Sequence, residues 1–406
     1  MRALIKGAGV RSRLNRFLSF FIRIFAHIIP KNKDIVVFGA FFGNRYGDNS
    51  SALFEYCNSR KAGVFKYYWL TDGINIVDAV RSTGANSYLK ISIQGVWLSL
   101  RASLFVTSHS IKDVLFYHPM IGRTPELFLN HAIPFRGYEL LNKGLTDKEL
   151  KNIRPKQITN MIATSVWGGE RQRKALPVEQ STIIVAGYPR NDIFFNYHDD
   201  KLTNIKEKNN LNDYIILYAP TWRKWGQTKF FPFDDYDLNE LVLFLRQNNI
   251  SIILRPHSVD MRRQNEDDLL NNFNWCNDVI NVLTIDEYEN TQELMLLSDC
   301  LITDYSSIFY DYLLLDRPII FIPYDIEKYT NIMGMFAGDY YDETPGIKIS
   351  KQIEFKNYIS TIISNKDVFQ AKRKKLCKLA HDYIDGNSSE RVFHLMQGFL
   401  SKSKVI

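Results

Sequence analysis

The feature that most constrains this chain is a recurring alternation: short, unbroken apolar runs, each followed by a polar or helix-patterned stretch. Asp34-Ile35-Val36-Val37-Phe38-Gly39, Tyr67-Tyr68-Trp69-Leu70, Leu104-Phe105-Val106-Thr107 and Thr182-Ile183-Ile184-Val185-Ala186-Gly187 lie in the first half. Tyr214-Ile215-Ile216-Leu217-Tyr218, Ile250-Ser251-Ile252-Ile253-Leu254, Cys300-Leu301-Ile302-Thr303 and Pro318-Ile319-Ile320-Phe321-Ile322 lie in the second. A strand with one wet face alternates apolar and polar residues, whereas a strand apolar throughout is covered on both faces, as in parallel sheets flanked by helices. The pattern predicts an α/β protein with two such sheets. The stretch Asn196 to Asp213, rich in Asn, Asp and Lys, reads as the linker between them. A length of 406 residues suits two domains. Two Rossmann-like domains facing each other leave a cleft at the carboxyl ends of their strands, where open parallel sheets hold ligands. The divisions read from the sequence are an amino-terminal segment 1–29, a first domain 30–195, a second domain 214–375, and a helical segment 376–406 that packs back across the domains.

Charge is uneven. Residues 1–33 carry eight basic side chains and no acid, leaving 43 basic against 44 acidic residues in the rest. A near-neutral body has no broad basic face, so a nucleic-acid partner is not indicated. Within the amino-terminal segment, Leu14, Phe17, Leu18, Phe21, Phe25 and Ile28 share one helical face, with Arg13, Arg16, Arg23 and His27 toward the other. The apolar run Phe17 to Pro30 is too short to span a bilayer, which takes about 20 residues, and Ile28-Ile29-Pro30 is a poor signal-peptide cleavage site. A basic, aromatic-rich amphipathic helix fits the surface of an anionic membrane; a helix packed on the protein's own body would show the same pattern. Cys57, Cys276, Cys300 and Cys377 are scattered, with no CxxC pair, and fit a reducing compartment.

The residues with chemical potential follow the predicted strands. In the second half these are Ala219-Pro220-Thr221-Trp222-Arg223, Arg255-Pro256-His257 and Thr303-Asp304-Tyr305-Ser306-Ser307. In the last of these a strand runs into a helix start with two serines, where free N–H groups, hydroxyls and the helix dipole together bind anions; simple capping by Asp304 or Ser306 is the competing reading. Ser389-Glu390-Arg391 repeats the serine-bearing helix start, again with a capping box as the alternative. In the first half, the glycine-bearing loop Gly43-Asn44-Arg45-Tyr46-Gly47-Asp48-Asn49 follows the first strand, and His131 follows another apolar run. Of eight histidines, His131 and His257 stand out, since each follows a strand facing the presumed cleft; His109 also follows a strand but has no such neighbourhood. No acid set suggests a metal site.

In order and spacing, these motifs, together with Gly187-Tyr188-Pro189-Arg190-Asn191-Asp192, Asp316-Arg317-Pro318 and Pro345-Gly346, resemble the CDP-glycerol glycerophosphotransferases of teichoic-acid and capsule synthesis, across about residues 30–395. The resemblance implies a GT-B-like fold and a peripheral enzyme at the cytoplasmic face of the bacterial inner membrane, and the basic amphipathic pattern of residues 1–29 predicts the contact with its anionic surface. It implies a CDP-glycerol or related CDP-alditol donor and a lipid-linked saccharide or polymer acceptor. It implies no cofactor beyond the donor substrate and leaves a divalent-metal requirement open. Family chemistry needs one histidine per domain, which maps onto His131 and His257. The first stands in Asn130-His131-Ala132-Ile133, where the family usually has Trp-His-Gly-Thr. The sequence reading then assigns donor binding to Arg223, Arg255, Thr303, Asp304, Ser306, Ser307, Ser389, Glu390 and Arg391, with Asp304 shaping its turn. The acceptor-side loop is assigned Asn44, Tyr46, Asp48 and Asn49. A nucleotide-sugar glycosyltransferase of the same architecture is the rival enzyme reading, and a catalytically dead membrane scaffold the rival of another class.

Overall fold

The computed structural model describes residues 24–60, 65–117, 123–135, 158–176, 178, 182–197, 199–261, 272–334 and 340–402. Two all-parallel sheets organise it. The first contains β1 (Ile35–Gly39), β2 (Lys66–Thr71), β3 (Asn86–Leu89), β4 (Leu104–Thr107), β5 (Glu126–Phe128), β6 (Ile158–Ala163) and β7 (Ile183–Val185), in the order β3-β2-β1-β4-β5-β6-β7. The second contains β8 (Tyr214–Tyr218), β9 (Ile250–Leu254), β10 (Ile280–Val282), β11 (Cys300–Thr303), β12 (Ile319–Phe321) and β13 (Ile347–Lys348), in the order β10-β9-β8-β11-β12-β13. In each sheet the winding reverses beside its first strand, at β1/β4 and at β8/β11. Crevices open there at the carboxyl ends.

Strands β1, β4, β9 and β11 are buried along their whole length. Alternate residues of β1 therefore serve two cores: Val36 and Phe38 pack with Leu53 and Phe54 of the helix Asp48–Ser59, and Ile35 and Val37 pack with Leu98 and Phe105. The final helix, Ser388–Lys402, returns to the first sheet, where Val392, Phe393, Met396 and Leu400 join the Val36–Phe38 core. Four buried apolar side chains at roughly 1.5–3 kcal/mol each tie the chain's end to its first domain. Gly187, at φ 83°, lies where this helix starts; a side chain there would meet the Ser388 hydroxyl.

The polar stretch 196–213 differs from the linker read from composition. It contains the helix Asp199–Lys208, and Ile205 and Leu211 bury into the core of the second sheet. A few apolar residues at helical spacing anchor a segment whose average composition is polar. The amphipathic helix expected at the amino terminus falls largely on residues 1–23, outside the described residues; residues 24–28 are helical, with Phe25 and Ile28 exposed. Among the described residues, no helix is long and apolar enough to cross a membrane.

Candidate active site

The carboxyl-terminal edges of the two sheets enclose a cavity of about 1400 Å³. Three strand ends furnish its first wall. After β1, the loop turns into the helix Asp48–Ser59, with Asp48 itself in the left-handed region (φ 65°). Asp48 Oδ1 accepts from Arg190 Nη1 at 2.6 Å and from the Asn49 N–H at 2.7 Å, and its Oδ2 lies 3.6 Å from His109 Nε2. Burial would raise its pKa, but Arg190, His109 and His131 more than offset this and hold the carboxyl below its ordinary value.

His109 follows β4. Its Nδ1 accepts the Phe41 N–H at 3.2 Å, so the neutral ring carries its proton on Nε2, the edge nearest Asp48. Burial lowers its pKa; Asp48 opposes this, while Arg190 and Arg45 add to the lowering, and the net shift is downward. His131 follows β5 and is exposed in the cleft, its ring stacked on His109. The turn that presents it is clamped: Asn130, at φ 61°, accepts the His131 N–H through Oδ1 at 2.8 Å, and its carbonyl accepts from Asn49 Nδ2 at 2.7 Å.

The opposite wall comes from the second sheet. His257 follows β9, and its Nδ1 accepts the Val259 N–H at 3.1 Å. The neutral ring therefore carries its proton on Nε2 and offers a donor there. Its neighbour in the cleft is Trp222, ring centroids 6.3 Å apart. Ser306 and Ser307, after β11, both line the cavity; Ser306 Oγ accepts the Ile308 N–H at 3.4 Å. The cavity thus brings together His131, His257, Ser306, Ser307, Ser389, Glu390, Tyr46 and Asp48.

Other residues assigned to ligands from the sequence sit behind the wall. Arg223 is 1% exposed; its guanidinium binds Asp304 at 2.7 Å and both Asp325 oxygens at 2.9 Å, with the Thr221 carbonyl also accepting. Its charge is used to fix the loop after β8. Asp304 accepts from the Thr221 and Tyr305 N–H groups, and Thr303 donates to the Ala219 carbonyl, so both shape the turn. Arg255 does not line the cavity; its guanidinium is taken up by the carbonyls of Leu283 and Thr284 and by Thr291 Oγ1; burial, with Arg45 nearby, brings its pKa down to about 10. Arg391 donates to Asp385 and the Ala186 carbonyl. Asn49 is buried behind the His131 turn, and Asn44 donates to the Phe41 carbonyl outside the cavity. The serine-bearing helix start at Ser388 already has its anion: the Ser388 and Ser389 N–H groups donate to Asp192 at 2.8 and 2.7 Å. Tyr46 packs edge-on against Trp69, ring centroids 4.6 Å apart, and hydrogen-bonds Glu55.

The sequence reading missed Arg45, His109, Arg190, Trp222 and Asp311, all of which line the cavity. His109 shares with His131 the one available signal, its place directly after a strand. Arg190 lies in the Gly187–Asp192 motif, whose sequence alone points to no partner for it.

Side chains that follow strands of both sheets line one cavity, so a ligand bound there would be held from two sides. That is the working plan of an α/β group-transfer enzyme. Residues 21–397 match the CDP-glycerol:poly(glycerophosphate) glycerophosphotransferase family, and the chain belongs to it. It is 28% identical over 354 residues to a teichoic acid poly(glycerol phosphate) polymerase of Bacillus spizizenii, covering 83% of this chain and 85% of that one. It is 27% identical over 385 residues to a teichoic acid glycerol-phosphate transferase of Staphylococcus aureus, covering 89% and 92%. The fold is similar to that of the wall teichoic acid polymerase TagF, with a TM-score of 0.72 at 22% identity over 92% of this chain and 90% of that chain.

Proposed function

We propose that this glycerophosphotransferase moves glycerol phosphate, or a related alditol phosphate, from a CDP-alditol donor to a hydroxyl of a lipid-linked or polymer acceptor, releasing CMP. The observation that carries the reading is the pair of cavity histidines, one from each sheet, held in different ways. His131 is exposed on a clamped turn over a neutral His109 and near the Asp48 carboxylate. His257 has its Nδ1 occupied and offers Nε2–H. The first suits a general base, the second a hydrogen-bond donor to phosphate.

The acceptor oxygen attacks the phosphorus on the alditol side of the diphosphate. The new O–P bond forms as the bond to the CMP oxygen breaks, and His131 takes the hydroxyl proton. His257 and the hydroxyls of Ser306 and Ser307 hold the diphosphate and the charge that builds on departing CMP. Arg45 lines the cavity, near enough to Arg255 and His109 to lower the pKa of each, and adds a cation. The two facing parallel sheets and the returning carboxyl-terminal helix support a GT-B-like architecture. The basic segment 1–29 supports peripheral attachment at the cytoplasmic face of the membrane.

Incubation of the full chain with CDP-glycerol, CDP-ribitol and a panel of UDP-sugars, with products identified by mass spectrometry, tests this. CMP release with addition of an alditol phosphate to the acceptor is expected. Consumption of a UDP-sugar alone would replace this reading with a glycosyltransferase.

A further inference from the structure

We propose that Arg190 is a positioning residue that sets the placement of His131 relative to the donor-side wall; the inference rests on the transfer reading above. Arg190 belongs to the short 3-10 segment Pro189–Phe194 directly after β7, where the chain leaves the first sheet. Its guanidinium spans the two walls of the cavity: Nη1 donates to Asp48 of the first at 2.6 Å, and Nη2 to Asp311 of the second at 2.6 Å. Asn191 secures the remaining Asp311 oxygen at 2.8 Å. Asp311 lies in the helix Ile308–Tyr312, directly after Ser306 and Ser307.

From Arg190, two routes lead to His131. The side chain holds Asp48, whose other oxygen faces His109, and His109 is the plate on which His131 stacks. The Arg190 backbone N–H donates to Asn49 Oδ1 at 3.2 Å, and Asn49 Nδ2 holds the Asn130 carbonyl beneath His131. One residue thus fixes both the ring's support and the turn that carries it, while gripping the wall that bears the serines.

The choice of arginine has a physical reason. Burial works against the charge, and the carboxylates of Asp311 and Asp48 more than offset it, so the guanidinium stays protonated. Its planar fork reaches two carboxylates at once, which a lysine ammonium on one flexible stem does not reproduce. The Asp48 carboxylate held by this fork lies beside the histidine pair, available to an imidazolium formed when His131 takes a proton.

Arg190→Met would strand two buried carboxylates and endanger folding, so Arg190→Lys and Asp311→Asn are the informative variants. In each, CDP-glycerol affinity by calorimetry is expected to stay within about threefold of the parent, while kcat for CMP release with acceptor falls about 10–100-fold. In a His131→Ala background the same substitutions are expected to cost no further activity, because a residue acting through His131 has nothing left to act on. An additive loss in that background, a parent-like kcat, or a collapse of donor affinity would overturn the proposal. The histidine ring NMR signals give a readout independent of turnover. Signals of His109 and His131, assigned by single substitution, should shift in Arg190→Lys while that of His394 does not. Unmoved signals would also overturn the proposal. A parent protein that ignores CDP-glycerol would instead refute the transfer reading, and the ring signals would still report on the bridge.

Discussion

The imidazoles of His109 and His131 lie face to face, ring centroids 4.8 Å apart and planes within 13° of parallel. Two stacked imidazolium ions would repel each other, so the pair works only if one ring stays neutral while the other gains a proton. Burial assigns the neutral role to His109, the more enclosed ring. His109→Phe keeps a flat support without polar contacts, and His109→Ala removes the support. A kcat lower by about 10-fold for Phe and about 100-fold for Ala is expected, with CDP-glycerol affinity little changed. Parent-like turnover in both variants would remove His109 from the reaction.

Asp192 joins the chain's last helix to the first domain by accepting the N–H groups of Ser388 and Ser389. An anion at a helix start satisfies orphan donors and complements the dipole. Asp192→Ala should lower unfolding free energy by about 1–2 kcal/mol, read from urea midpoints, and should expose the helix Ser388–Lys402 to proteolysis first. Unchanged protection of that helix would mean the apolar contacts of Val392 and Met396 hold it alone.

The two-sheet fold was legible because strands such as β1 are apolar throughout, and β9 is so but for the buried Ser251. Shorter strands were not: β13 has two residues, Ile347 and Lys348, and β5 includes Glu126. The site was legible where a residue's position alone decides its role, as for His131 and His257 directly after strands. It was illegible where distant partners decide. Nothing near Arg223 announces that Asp325 will claim it, and Arg255 turns to carbonyls at Leu283 and Thr284, which a strand-end motif does not reveal. Arg190 has the same cause: its partners, Asp48 and Asp311, are far apart in sequence and meet only in the folded chain.

Glu126 is buried in the first sheet; Thr107 Oγ1 donates to its Oε1 at 2.6 Å, and Oε2 lacks a protein partner among the described residues. Burial pushes its pKa up to about 7, against 4.5 unperturbed. A carboxyl whose folded pKa lies above its unfolded value takes up a proton on folding. Its cost to stability is therefore absent well below pH 4.5, grows as pH rises toward 7, and is full above that. Glu126→Gln should stabilise the protein by on the order of 3 kcal/mol at pH 8 and about 1 kcal/mol at pH 5. Denaturant titrations at the two pH values check this; an equal effect at both would mean the carboxyl stays ionised.

Deleting residues 1–29 removes five of the eight amino-terminal cations up to Arg16 and also Arg23, together with exposed Phe25 and Ile28. The cut spares Lys31, whose Nζ donates to the Leu100 carbonyl, and Asn32, whose N–H donates to the Arg101 carbonyl. The truncated protein should therefore fold, keep activity on a soluble acceptor, and sediment less with vesicles rich in anionic lipid, most clearly at low salt. Equal vesicle binding by both forms would place any membrane contact elsewhere.

The different fixing of the two cavity histidines predicts different rescue. His131→Ala should lower kcat by about 10²–10⁴-fold with CDP-glycerol binding nearly intact, and His131→Gln should be no better, since an amide does not take the hydroxyl proton. His257→Ala should weaken donor binding as well as turnover. Its Nδ1 already accepts the Val259 N–H, so the useful edge is the Nε2–H donor. A glutamine amide places an N–H near that edge, and His257→Gln should recover part of the lost donor affinity. Calorimetry with CDP-glycerol beside CMP-release assays on the four variants makes the test. Loss of donor affinity in His131→Ala with retention in His257→Ala would reverse the two roles, and equal failure of both glutamine variants would show that His257 acts through a proton transfer of its own.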